Sequence, residues 1–158
     1  FNIYAQKGAC WYLKTCDDRE VIRPHALGNF GALLLASARS PAMLEYLDNQ
    51  SNSAGTPNEN YARELLELNT LGVDAGYTQR DVQELARCLT GWRYETRDLP
   101  AQQGTFAFDA AAHDQGDKYV LGESIAAAGV HTPPDVVLWL MSCTRHSAAS
   151  EIILQVEP

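Results

Sequence analysis

The sequence lacks the short motifs that mark several common catalytic classes. It contains no G-x-S-x-G elbow, no glycine-rich phosphate loop and no H-E-x-x-H pair, which argues against a serine hydrolase, a nucleotide-binding protein and a zincin. Its four cysteines form no C-x-x-C pair, so a zinc ribbon or a thioredoxin-type site is not expected. No apolar run approaches the roughly 20 residues that a membrane-spanning helix needs.

Basic residues are also scarce, with 12 Lys and Arg against 20 Asp and Glu and a formal net charge of -8. A nucleic-acid groove and an anionic membrane surface both require a basic face, so neither is an expected partner. The 158 residues are enough for one domain with its own core, without help from disulfides. Cys10 and Cys16 are candidates for a bridge if the protein is exported, although their spacing alone does not place two Cα atoms within bonding reach.

Clear start signals divide the chain into helices. A hydroxyl residue occupies the predicted N-cap in four places, and Pro follows it in three of them. Thr56 with Glu59 is predicted to form a capping box, and Thr78 with Asp81 a shorter acidic version of it. Gly91 lies where a helix C-terminus favours a left-handed residue. The predicted helices lie near residues 14–23, 29–39, 41–48, 57–71, 79–90 and 133–142, with a last one from about 147.

The fold class predicted from this pattern is mainly α, a multi-helix orthogonal or bundle-like domain with a small β-hairpin insertion. Residues 1–158 are expected to form a single helical domain. Between residues 93 and 129 the helical period disappears, and this segment is the predicted irregular or hairpin insertion. Residues 49–55, NQSNSAG, contain no apolar anchor and are predicted to be a mobile surface loop.

Within the insertion, Thr105–Phe108 and Lys118–Leu121 are short runs predicted to pair with each other as a hairpin. The loop between them carries His113 and Asp114. An adjacent imidazole and carboxylate can coordinate a metal or transfer a proton. The alternative is structural: the ring donates to a backbone carbonyl and the carboxylate caps a turn.

Asn69 falls on the apolar face of the fourth predicted helix, and Glu64 lies on the border of that face. A buried amide needs a hydrogen-bond partner. Asn69 therefore either ties the helix to a neighbouring loop or joins a polar cluster with Glu64 and one of His25 and His113. Glu64 and Glu67 form an E-x-x-E pair that suits a hard cation, or else a solvated acidic face.

The string from Asn58 to Trp92, NENYARELLELNTLGVDAGYTQRDVQELARCLTGW, closely resembles the domain-of-unknown-function 1800 family of bacterial proteins. That family usually has His at the position of Asn69. REVIRPHALGNF (Arg19–Phe30) and SPAMLEYLDN (Ser40–Asn49) resemble its preceding landmarks, and FAFD, HD and KYVLG resemble the landmarks that follow, in the same order. Members are typically several times longer, so the chain is expected to be an internal segment of one.

The resemblance implies export to the periplasm or the extracellular space, and a partner from a second exported family that is similar to sulfatases. It is strong through the corner that holds Arg23, His25 and Asn29, where Arg23 and His25 are expected to anchor the backbone and Asn29 to cap the next helix. Together with Glu59 and Asn69, Arg23 and Asn29 are the structural polar candidates. Asn cannot titrate and binds borderline metals weakly, so either this member has lost an activity or position 69 serves only to make hydrogen bonds.

Two functions follow as hypotheses, and whether the protein is an enzyme stays open between them. The favoured one is a non-catalytic interaction or assembly module of a larger exported protein. The alternative is a metal-assisted, hydrolase-like enzyme with a divalent metal as cofactor. Its catalytic candidates are His113, Asp114 and Glu64, and its metal-ligand candidates are His113, Asp114 and His25. Bound metal would favour the enzyme, and a large exposed apolar patch would favour the module.

Overall fold

The first half of the chain is helical, in a computed structural model that describes residues 1–95 and 104–125. Helix α1 (Cys10–Asp17) runs directly into a π-helical turn (Asp18–Ile22) and the short α2 (Arg23–His25). The remaining helical elements are α3 (Phe30–Ala38), α4 (Pro41–Tyr46), a 3₁₀ turn (Asn49–Ser51), α5 (Asn60–Glu67) and α6 (Gln79–Cys88).

Helical structure is therefore present at each of the five positions predicted before residue 91, with shifted ends. The helices predicted at 133–142 and from about 147 lie outside the described residues. Within residues 1–95 and 104–125, no helix is both long and apolar enough to cross a membrane. Alongside the helices are two small antiparallel strand pairs. The four strands are β1 (Trp92–Tyr94), β2 (Phe106–Phe108), β3 (Lys118–Val120) and β4 (Glu123–Ile125).

The predicted pairing of Thr105–Phe108 with Lys118–Leu121 is wrong. Strand β2 pairs with β1, and the ring of Phe106 packs edge-on against Trp92 with centroids 5.7 Å apart. Strand β3 turns back on itself and pairs with β4. Leu121 and Gly122 connect them with φ angles of 51° and 85°, which suits the tight primed turns of two-residue hairpins. Leu rarely adopts a positive φ, so the sequence carried little signal for this turn.

The core forms where helices α5 and α6 pack their apolar faces together with α1, α3, α4 and the strands. Apolar residues recur every three or four positions along α6, so one stripe of the helix is buried. Its buried members are Val82, Leu85, Ala86, Cys88 and, just past the helix end, Leu89. Those of α5 are Tyr61, Ala62, Leu65 and Leu66.

One predicted capping box is confirmed and the other is wrong. Thr78 Oγ1 accepts from the Asp81 amide at 3.2 Å, and Asp81 Oδ2 accepts from the Thr78 amide at 2.7 Å. At the start of α5, however, the helix begins only at Asn60, with Glu59 as an N-cap whose side chain makes no capping bond. The upstream residue Thr56 instead closes a small bridge with Ser53.

The candidate Cys10–Cys16 bridge is not formed, since both thiols are free. Both residues lie on α1, where six residues correspond to a rise of about 9 Å. That separation exceeds the roughly 7 Å Cα limit for a disulfide. Cys10 is buried and Cys16 is exposed, so the two side chains also occupy different environments.

Candidate functional site

The C-terminal end of α6 is surrounded by buried and half-buried polar side chains, which we call the α6-end cluster. Its members are Asn49, Asn52, Arg87, Thr90, His113 and Asp114. Helix C-termini leave their last carbonyl groups without intrahelical partners, and a buried helix end must satisfy them by other means. In this protein, side chains from the 49–55 loop and the 113–114 loop take that role.

Two asparagines bind the carbonyl groups of the α6 end. Asn49 Nδ2 donates to Leu89 O at 3.1 Å and to Trp92 O at 3.2 Å. Asn52 Nδ2 donates to Ala86 O at 2.9 Å and to Asn49 Oδ1 at 3.0 Å. Both asparagines are fully buried. The prediction of a surface loop at 49–55 is therefore wrong at these two positions, because their amides are the partners that the helix end requires.

Gly91 lets the loop after β2 approach this helix end. Its φ of +77° lies in the left-handed region, as the sequence predicted. A Cβ atom at this position would lie 2.4 Å from Asp109 O and 3.2 Å from the His113 nitrogen. Asp109 N donates to Gly91 O at 2.8 Å, and Gly91 N donates to Asn52 O at 3.1 Å. Only glycine allows both contacts, because any side chain would meet the opposing backbone.

His113 is almost completely buried, with 3% of its surface exposed. Its Nδ1 lies 2.8 Å from Thr90 O and 3.2 Å from Thr90 Oγ1. A carbonyl oxygen can only accept, so the ring donates a proton from Nδ1 to Thr90 O. The ring also packs edge-on against Phe108 with centroids 5.3 Å apart. This geometry is the one expected of a structural histidine.

Asp114 is held as an ionised carboxylate. Arg87 donates to it through Nε at 2.9 Å and Nη2 at 3.0 Å, a two-pronged contact, and Gly116 N donates at 2.8 Å. The hydrogen bonds from Arg87 lower the pKa of Asp114 to about 2. A carboxyl group with so low a pKa carries no proton to donate near neutral pH and is a weak general base.

The same arginine and a buried lysine join α6 to β3. Arg87 Nη1 donates to Glu84 Oε2 at 2.8 Å, and the same oxygen accepts from Tyr119 N at 3.0 Å. Lys118 is 2% exposed, and its ammonium group donates to the Asp114 carbonyl. Buried charges are tolerated where they are paired and hydrogen-bonded, as they are at this junction.

Comparison with known proteins identifies the family. The family described as "Protein of unknown function (DUF1800)" matches residues 1–155. The chain belongs to this family. No curated protein and no solved structure gives a significant match.

The other candidates from the sequence lie apart along this DUF1800 chain. His25 is half-buried on α2, with Nδ1 2.7 Å from Val21 O, and Arg23 is exposed on the same turn. Asn29 caps α3, since its Oδ1 accepts from Ala32 N at 3.1 Å. Among the residues that the structure describes, no three His, Cys, Asp or Glu side chains form a group that could hold a metal. His25, His113 and Asp114 are therefore not assembled into one.

Asn69 and Glu59 lie at opposite ends of α5. The helix ends at Glu67, so Asn69 follows it and is half-buried rather than part of the apolar face. Its Nδ2 donates to the Glu64 carbonyl at 3.1 Å, which satisfies a group at the helix end. At the other end, Glu59 Oε2 accepts from Arg63 at 3.0 Å and from Gln79 at 2.6 Å, linking α5 to α6. The Glu64 side chain is half-buried.

Sequence reasoning missed four members of the α6-end cluster, namely Asn49, Asn52, Arg87 and Thr90. The sequence feature that could have indicated the two asparagines is that Asn49 and Asn52 are three residues apart. In a 3₁₀ turn, residues three apart lie on the same side, so both amides can face one helix end. Thr90 precedes the helix-ending glycine, and its hydroxyl accepts from Asp114 N at 2.8 Å.

Proposed function

We propose that this DUF1800 chain is a non-catalytic interaction or assembly module of a larger exported protein. The observation that carries the proposal is the use of His113 and Asp114 in the α6-end cluster. These were the strongest sequence candidates for chemistry. The His113 ring binds the Thr90 carbonyl, while Asp114 binds the Thr90 hydroxyl through its backbone amide and Arg87 through its carboxylate. Their hydrogen bonds hold the 113–114 loop against the end of α6, which is a structural role.

The protonation states of the buried groups support the same proposal. Arg87 holds the pKa of Asp114 at about 2, and burial raises the pKa of Cys88 to about 12. Near neutral pH the carboxyl group is therefore fully ionised and the thiol fully protonated. Neither form is suited to acid–base or nucleophilic catalysis at that pH.

Exposed apolar side chains supply contact surface of the kind that a module uses. Trp11 is 71% exposed, and its ring stacks edge-on with Tyr12 at 5.1 Å between centroids. Leu27 is fully exposed, and Leu68 is 71% exposed. Aromatic side chains that lie partly outside the core are typical anchors of protein interfaces.

The proposal includes a location and a partner. The longer protein resides in the periplasm or the extracellular space, and its partner is an exported sulfatase-like protein. The support for both is the resemblance of the landmark motifs. The excess of acidic side chains, 20 against 12 basic ones, supports a protein partner rather than a nucleic acid.

The test is calorimetric titration of the full-length protein with its purified sulfatase-like partner. We expect the Trp11→Ser variant to bind about tenfold more weakly than wild type. Tyr119→Ser is the matched control, because Tyr119 is a half-exposed aromatic side chain on β3. Absence of binding by the wild-type protein would contradict the partner, and equal losses in both variants would contradict the role of Trp11.

The competing hypothesis of metal-assisted hydrolysis has its own measurement. Elemental analysis by mass spectrometry is done on the full-length protein and on a variant with both His113→Ala and Asp114→Ala. Stoichiometric metal that disappears in the variant would overturn the module and establish a metal centre. An equal metal content in the two proteins agrees with the scaffold role.

A further inference from the structure

A buried carboxyl group lies between the first and fourth helices. Asp17, the last residue of α1, has only 3% of its surface exposed. Ser40, the residue before α4, donates its hydroxyl proton to Asp17 Oδ1 at 2.6 Å. On the same side of α1, Cys10 Sγ lies 3.6 Å from Ala42 O. We call these four residues the α1–α4 joint.

The second oxygen of this carboxyl group distinguishes it from other buried polar groups. Within the described ranges, Asp17 Oδ2 is buried and has no hydrogen-bond partner. A buried atom of a neutral polar group that lacks a hydrogen-bond partner costs roughly 1–3 kcal/mol, and the cost for a charged group is larger. The site therefore accommodates the protonated carboxyl group better than the carboxylate.

The cation that acts on Asp17 from its own helix, Lys14, is already paired with another carboxylate. Lys14 on the same helix forms its ion pair with Asp18, at 3.0 Å. From α5 the site is faced by the phenol of Tyr61, which is neutral at ordinary pH and fully buried. Burial raises the pKa of Asp17, and Asp18 raises it further, while Ser40 and Lys14 lower it.

The backbone around Asp17 is not a regular helix. Directly after Asp17 the chain enters a π-helical turn, Asp18–Ile22, whose wider hydrogen-bond pattern is uncommon and recurs at functional positions. The carboxyl group thus lies where α1 changes its geometry and contacts α4. A change in its charge acts on both the helix transition and the contact between the two helices.

We propose that Asp17 is a proton-dependent latch, which keeps the α1–α4 joint closed while the carboxyl group is neutral and loosens it when the group ionises. The direction follows from proton linkage. The closed joint holds the proton more tightly than an open joint exposed to water, so opening becomes easier as the pH rises. Between the ordinary pKa of an exposed carboxyl group, 3.8, and the raised pKa of the closed form, the open fraction rises by up to about tenfold per pH unit, since opening releases one proton there; above the raised pKa it is constant.

Cys10 reports directly on the opening of the joint. Its thiol is buried against α4 and can react with an alkylating reagent only when the joint opens. Cys16 is exposed on the same helix and serves as the reference for the reagent. Cys88 is buried in α6 and reports opening of the whole core. Peptide mass spectrometry of the full-length protein gives all three alkylation rates in one sample.

The experiment compares wild type with Asp17→Asn over a range of pH, with Asp18→Asn as the matched control on the neighbouring carboxylate. We expect the ratio of Cys10 to Cys16 alkylation to rise by up to about tenfold per pH unit in wild type and in Asp18→Asn. In Asp17→Asn we expect this ratio to stay constant over the same pH range, because the amide does not titrate and the ionisation of the two thiols cancels in the ratio.

Three results would overturn the latch. One is an identical pH profile in wild type and Asp17→Asn. Another is Cys88 alkylation that rises in step with Cys10, because the event would then be opening of the whole core. The third is an Asp17→Asn variant that does not fold while Asp18→Asn does, since an amide matches the shape of a neutral carboxyl group and would replace it at little cost.

Discussion

The α6-end cluster and the α1–α4 joint both bury polar side chains almost completely, yet they do so in opposite ways. In the cluster, Asn52 is fully buried and its side-chain amide bonds three partners, Ala86 O, Asn49 Oδ1 and Asn58 N. In the joint, Asp17 is 3% exposed, and among the described residues its Oδ1 is bonded by Ser40 while its Oδ2 has no hydrogen-bond partner. Burial thus gives a fixed contact at the Asn52 amide, where both atoms are bonded, and a titratable site at Asp17, where one oxygen is not.

The two regions also respond to pH with opposite signs. Arg87 lowers the pKa of Asp114, so folding favours the charged form of that group. Burial raises the pKa of Asp17, so folding favours its neutral form. As the pH rises from acid, Asp114 adds to the free energy of unfolding while Asp17 subtracts from it.

The largest effect is expected from removing an amide of the cluster. Asn52→Ala removes the partner of the Asn58 amide and of the Asn49 side-chain oxygen, and one of the donors to the Ala86 carbonyl, which also accepts from Leu89 N. We expect the free energy of unfolding to fall by about 4 kcal/mol, because each unsatisfied buried group costs roughly 1–3 kcal/mol. Chemical denaturation measures this free energy of unfolding. Asn2→Ala, at an exposed amide, should change it by no more than about 0.5 kcal/mol, and equal losses would refute the scaffold.

A smaller but still large effect is expected where the loop meets the helix end. Gly91→Ala places a methyl group 2.4 Å from Asp109 O and forces Ala to a φ of +77°. The left-handed conformation costs roughly 1–2 kcal/mol and the clash adds to it, so we expect a loss of about 3 kcal/mol in thermal or chemical unfolding. Gly55→Ala is the control, since nothing lies within 4 Å of its Cβ position. A loss of the same size there would show that the contact is unimportant.

An intermediate effect with a defined pH window is expected at Asp114. Its pKa is about 2 in the folded protein against 3.8 for the free group, so its stabilising contribution is complete above about pH 4 and lost as the pH falls towards 2. Near pH 7, Asp114→Asn should lower the free energy of unfolding by about 1–2 kcal/mol after solvent screening. The difference from wild type should vanish near pH 2. Asp74→Asn, at an exposed carboxylate, should show no such window.

The smallest effect is expected at the α1–α4 joint. It tests whether Asp17 and Asp114 change the free energy of unfolding with opposite signs as the pH rises. Ser40→Ala removes the hydroxyl group that donates to Asp17 and should cost about 1 kcal/mol in acid, where the carboxyl group is neutral. The loss should grow as the pH rises, since the hydrogen bond from Ser40 favours the ionised form. Denaturation at several pH values measures the trend. Ser51→Ala, at an exposed hydroxyl, should show none, and a constant loss for Ser40→Ala would contradict a titrating Asp17.

Features that depend on a few neighbouring residues were predictable from the sequence. The Thr78–Asp81 box and the left-handed Gly91 are both present, because each depends on residues within one helical turn. The capping box predicted at Thr56 does not form, for a reason that lies outside its own helical turn. Asn58 N donates to the buried side chain of Asn52 at 2.9 Å, and that contact delays the helix until Asn60.

For the candidate site, the sequence identified His113 and Asp114 as a pair but not their partners. Arg87 and Thr90 lie more than 20 residues earlier in the chain, and side-chain spacing gives no information about such distant contacts. The asparagines of the 49–55 loop were misassigned to the surface for the same reason. A polar loop looks solvent-exposed until the helix end that it satisfies is known.

The sequence by itself determined the family, the approximate positions of the helices before residue 91 and several local signals that begin or end them, because motifs and helical periodicity act over short stretches of chain. Only the tertiary structure decided which strands pair, which amides are buried and which carboxyl group lies between two helices. Leu121 shows the difference: its φ of 51° is unfavourable for the residue alone, yet the pairing of β3 with β4 requires it. Contacts between distant segments outweigh local preference wherever they satisfy more buried groups than the local arrangement can.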